Sequence, residues 1–161
     1  MKNQQELAIQ LIIDSWNSHI KRATKLFDSL SDEAIQNHIA PNRNSGTYLL
    51  GHLVAVHDGM LSLMNFGDKL YPELEQLFIR NPDGATLEKP SIAQLRSYWT
   101  EVNNVLNNKI NEQTTDDWFK KHSAVSEEDF AKEPHRNKIN ILLTRTNHAA
   151  YHLGQLALLN K

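Results

Sequence analysis

Ile9, Ile13, Trp16, Ile20, Ala23, Phe27 and Leu30 recur at alternating steps of four and three, and this spacing constrains the chain more than any other feature. Such a set lines one side of an α-helix, whereas on a strand it would scatter over both faces. The spacing predicts a helix over about 4–29 whose stripe must be covered by other apolar surface, most simply by more helices. A second stripe, Leu49, Leu53, Val56, Met60 and Leu63, predicts a helix over about 45–66, with Asn44 or Ser45 as N-cap. Gly46 and Gly51 are weak points near its start. A third helix opens at Pro90-Ser91, where Ser91 and Gln94 form a capping-box pattern, and carries Ile92, Leu95, Trp99, Val102 and Leu106 to about Ile110. The fourth, about 138–160, bears Ile139, Ile141, Leu142, Leu143, Ala149, Ala150, Leu153, Leu156 and Leu159 around much of its circumference. It is expected to be the most buried of the four.

No apolar/polar alternation bounded by hairpin turns occurs, and no repeat is visible. The expected fold is therefore all-α, a four-helix bundle forming a single domain over 1–161. Its connections at about 67–89 and 111–137 are longer than simple turns between bundle helices, and are expected to be crossovers containing short helices. One such helix is expected at Pro72 to Ile79, where Pro followed by Glu favours a helix start. Another short turn is expected at Ser126 to Asp129. Trp118 and Phe119 are expected to pack over a bundle end or to wall a pocket.

The absence of cysteine removes disulfides, thiolate metal sites and a thiol nucleophile from consideration. The 17 basic against 19 acidic residues give a net charge of −2, which offers no basic footprint for nucleic acid or an anionic membrane. No stretch reaches the length of an apolar membrane span, and the first residues lack the apolar core of a secretory signal. The expected setting is cytoplasmic, and the expected partner is a small-molecule substrate rather than a membrane or nucleic acid.

The sharpest chemical signal is the run Asn147-His148-Ala149-Ala150-Tyr151-His152-Leu153-Gly154-Gln155 on the fourth helix. His148 and His152, four residues apart, lie about 40° apart around a helix, so both imidazoles can reach one ion. Spacing alone leaves a metal pair and a hydrogen-bonded structural pair both open. A third ligand would have to come from elsewhere. His52 and His57 on the second helix are about 140° apart and cannot both face one point. Periodicity leans toward His52, which shares a side with Leu49, Val56 and Leu63. His19, His38, His122 and His135 are read as solvated. Gln155 would orient a ligand or serve a bundle hydrogen bond, and Gly154 would permit close helix approach.

An apolar helix bearing Gly51-His52-Leu53, followed about a hundred residues later by His148-x-x-x-His152-x-Gly154-Gln155, resembles the DinB-like (damage-inducible) superfamily, which is related to bacillithiol S-transferases. The resemblance covers essentially the whole chain. It implies a divalent metal, zinc or nickel above all, held by His52, His148 and His152, and often a homodimer. It also implies thiol S-transfer, with a low-molecular-weight thiol as cofactor, or hydrolysis. Three neutral imidazoles leave a divalent ion its full charge and an exchangeable position, the arrangement of a Lewis acid. The alternative is a non-catalytic bundle in which the metal or His cluster stabilises the fold or a dimer. A DNA-associated role is suggested by the superfamily's name alone, and the charge balance argues against it.

Overall fold

The structure, a computed structural model, describes residues 3–160. Among them the regular elements are helical throughout: α1 (Gln4–Ser29), α2 (Asp32–Gln36), α3 (Gly46–Leu63), α4 (Leu74–Phe78), α5 (Ile92–Asn111), α6 (Thr115–Trp118), α7 (Glu127–Lys132) and α8 (Lys138–Leu156), then a 3-10 turn at Ala157–Leu159. The four long helices stand where the apolar stripes predict them. Their starts are set by local chemistry: Ser45 Oγ accepts the Tyr48 N–H, and Ser91 and Gln94 satisfy each other's backbone N–H groups in a full capping box.

The main packing partners are α1 with α8 and α3 with α5, supplemented by α3 with α8 and α1 with α5. These pairings close a ring in which α1 lies opposite α3, and α5 opposite α8. The connection holding α6 and α7 therefore crosses the bundle. Ser123 N–H donates to the Leu63 carbonyl at the end of α3, and Lys138 N–H donates to the Lys120 carbonyl. The connection between α3 and α5 is pinned by Asp58, a buried carboxylate that accepts the backbone N–H groups of Leu70 and Tyr71 at 2.7 and 2.9 Å.

Four expectations are corrected. The most buried long helix is α3, not the last one: Leu49, Leu50, Leu53, Val54, Met60 and Leu61 are all sealed, because α5, α8 and α4 cover three of its sides. The outer side of α8 faces solvent, with Leu143 and Tyr151 exposed. Gly46 and Gly51 are positions of closest approach rather than weak points. A Cβ on Gly46 would lie 2.6 Å from the Ile35 carbonyl oxygen, and one on Gly51 would lie 2.5 Å from Phe78 Cδ1. Gly154, by contrast, meets nothing and lies exposed, so close helix approach is not its role. His122 is buried rather than solvated, its Nδ1 accepting the Ala124 N–H.

Two short helices, α2 and α6, lie outside the sequence expectations, being too short to show a period. Each is announced only by its cap, Ser31 and Thr114. The expected helix at Pro72–Ile79 is present in shorter form as α4, and the turn at Ser126 is α7, capped by that serine. Trp118 packs into the core as expected, whereas Phe119 stays partly exposed.

The side of α3 that faces the centre of the bundle carries His57, which is fully buried between the rings of Trp16 and Trp99. Asn103 Nδ2 donates to the Trp99 carbonyl, which leaves Asn103 Oδ1 as an acceptor for His57 Nδ1–H at 3.0 Å. His57 Nε2 is buried with no partner. Burial, and beyond it the charges of His148, Arg145 and His52, outweigh the Asn103 bond and push the imidazole down to about 3.

An imidazole held below its ordinary 6.5 in the fold contributes stability that is complete above pH 6.5. That stability is lost as pH falls toward about 3, because only the unfolded chain takes up the proton there. Urea unfolding of metal-free protein should therefore show stability falling with pH below 6.5. His57→Leu should lower stability at neutral pH, since Asn103 Oδ1 loses its donor. It should also flatten the acid limb by about 1.4 kcal/mol per pH unit, one proton's worth. An unchanged slope would contradict a neutral His57 in the fold.

Candidate metal centre

His52 sits one and a half turns into α3, where Gly51 lets the ring of Phe78 lie directly against the helix backbone. That contact brings the Phe78 carbonyl to 2.9 Å from His52 Nδ1. A carbonyl only accepts, so Nδ1 carries the proton and the Nε2 lone pair points away from it. On α8, His152 Nδ1 lies 2.7 Å from Gln155 Oε1, while Gln155 Nε2 donates to the Tyr151 hydroxyl at 3.2 Å. The same tautomer results. His148 lies between them, with its Nδ1 buried and unpartnered.

All three Nε2 atoms converge: His148 Nε2 is 3.2 Å from that of His52 and 3.1 Å from that of His152. Two of these atoms are fixed as lone-pair acceptors, so at most the one proton of His148 is available to the whole cluster. Without a cation, the cluster is under-supplied with hydrogen. A tetrahedral ion with Zn–N bonds of ~2.0–2.1 Å would hold its nitrogens about 3.3 Å apart, close to both separations. The three imidazoles therefore fit a divalent ion. Burial lowers His148 to about 4, aided by His152, His52 and Arg145, and burial also lowers His152. Both rings stand in the neutral form that a metal requires. Among the described residues, this is the one group of three or more ligating side chains close enough to share an ion.

Geometry groups His52, and not His57, with His148 and His152. Periodicity sets His52 on the core stripe with Leu49, Val56 and Leu63, yet α4 and α8 leave it half-buried beside a cleft, and it is His57 that lies in the centre. His19 and His38 stay near the surface on local backbone carbonyls, and His135 is exposed.

The cleft, about 420 Å3, is bordered by His52 and His148 and walled by Ala55, Val56 and Ile79. Both long connections contribute to it, through Lys69, Glu75 and Ile79 on one side and Ser123 on the other. Three larger clefts, of about 470, 560 and 660 Å3, lie elsewhere and gather no such triad. Two participants were missed in the sequence. The Phe78 carbonyl carries no sequence signal, being backbone. Arg145 carries one, since positions 145, 148 and 152 share a helix face.

The sequence profile of the DinB superfamily matches residues 16–156. No curated protein matches the chain.

The two orienting contacts separate in a test with zinc. Gln155→Ala should weaken zinc binding by about 10–100-fold with little change in melting temperature, as read by competition with a chromophoric chelator. Gly51→Ala should lower both, because it forces Phe78 and its carbonyl off His52. Unchanged zinc affinity in Gly51→Ala would show that the Phe78 carbonyl does not position His52.

Proposed function

The chain belongs to the DinB superfamily, whose profile spans it from α1 to the end of α8, and on that footing we propose that it is a metal-dependent enzyme acting on a small-molecule substrate. His52, His148 and His152 are its metal ligands, and zinc or nickel is the ion. The observation that carries this reading is the convergence of three Nε2 atoms on one point, two of them with tautomers fixed by Phe78 and Gln155.

A divalent ion at this point supplies Lewis-acid chemistry with a position open to exchange. The chain's own residues do the rest. The Phe78 carbonyl and Gln155 hold two imidazoles in the ligating tautomer, and Ala55, Val56 and Ile79 give the cleft an apolar wall. The reaction is transfer of a low-molecular-weight thiol to an electrophile, or hydrolysis. Any thiol must be brought in, since the chain has no cysteine. A non-catalytic, purely structural ion would be expected in a closed site, and the cleft bordering His52 and His148 supports the catalytic reading instead. The reading includes a homodimer, supported by exposed Leu7 and Leu11 on α1 and Leu143 on the neighbouring α8. Among the described residues no helix is long and apolar enough to cross a membrane.

Protein purified without a polyhistidine tag should contain close to one divalent ion per chain by mass spectrometry. His148→Ala should abolish binding, and His135→Ala, at an exposed position, should retain it. A metal-free protein whose melting temperature responds to neither zinc nor a chelator would sink the proposal.

A further inference from the structure

Arg145 lies one turn before His148 on α8 and borders the same cleft. Among the described residues it forms no ion pair, whereas Lys69, Arg80, Lys89 and Arg96 all do. Its Nε is buried without an acceptor. Glu75, the one carboxylate bordering the cleft, is already committed on both oxygens, to Lys69 at 2.5 Å and to Arg80 at 2.5 Å. The charges bordering the cleft, Lys69 and Arg145 against Glu75, therefore leave Arg145 uncompensated.

A half-buried guanidinium whose Nε has no acceptor costs free energy, and its planar set of donors matches a carboxylate or phosphate. We infer that Arg145 is a substrate-binding residue that receives an anionic group, carboxylate or phosphate, on a molecule whose other end reaches the three-imidazole site. This inference rests on the metal reading above and narrows its substrate class. Residues three apart on a helix have Cβ atoms about 5–6 Å apart, so the anionic group and the metal-reaching atom belong to one compact molecule, only a few bonds from each other. Neutral electrophiles and bulky cations are disfavoured.

Two thiols of equal length, 3-mercaptopropionate and 3-mercapto-1-propanol, carry a charged carboxylate and a neutral hydroxyl at the far end and report metal contact through thiolate charge-transfer absorption on Co(II). With Co(II)-loaded protein the charged probe should bind at least tenfold more tightly. Arg145→Gln should abolish that preference while leaving the Co(II) spectrum and the affinity for the neutral probe unchanged, and Arg145→Lys should restore part of it. Equal affinities in the unaltered protein, or a preference that survives in Arg145→Gln, would overturn the inference. Failure to take up Co(II) counts against the metal reading alone. In that event metal-free protein is titrated with propionate and the Arg145 Nε–H resonance followed by NMR: a saturable shift sustains the anion site, and no shift overturns it.

Discussion

The near-complete burial of α3 is the constraint from which the architecture follows. A helix with sealed side chains at Leu49, Leu50, Leu53, Val54, Met60 and Leu61 presents apolar surface in several directions, and each such side chain removed from water contributes roughly 1.5–3 kcal/mol. One flat partner cannot cover that circumference. α5 takes one side, α8 another, and α4 is drawn down onto a third at Gly51, where the missing side chain admits the Phe78 ring. The chain between α3 and α5 is long because it must supply this third wall, and Asp58 ties its first residues back to the helix.

The same burial creates the site. Because α4 seats its last turn against α3, a backbone carbonyl reaches His52 and selects its tautomer. Because α8 covers the adjacent side, His148 and His152 arrive from a neighbouring helix with their Nε2 atoms inward. The cleft is the gap left where these two coverings meet, so apolar packing and ligand geometry have one cause.

Helical periods made the four long elements legible in the sequence, and the His148–His152 spacing made one edge of the triad legible. Periodicity misjudged the second helix, since a helix covered on three sides has no single core stripe: His52 and His57 both lie among apolar residues, and only the positions of α4 and α8 distinguish the half-open one from the sealed one. Resemblance to a family named His52 where the pattern only leaned toward it. The short helices α2 and α6 were invisible because four or five residues make barely more than one turn. The burial of α8 was overestimated because apolar residues such as Leu143 sit on its outer side. Arg145 was readable from its place on the His148 face, but only the lack, among the described residues, of a carboxylate paired with it gives that place meaning.

The triad draws one imidazole from α3 and two from α8, with 96 residues separating His52 from His148. An ion at their centre would act as a cross-link closing a loop of more than half the chain, and the entropy cost of closing so long a loop grows only slowly with its length. The exposed stretch around α7 lies inside that loop. A single proteolytic cut there would leave fragments carrying incomplete ligand sets, one imidazole on the first and two on the second, so that occupancy of the centre would report directly on whether the halves remain associated.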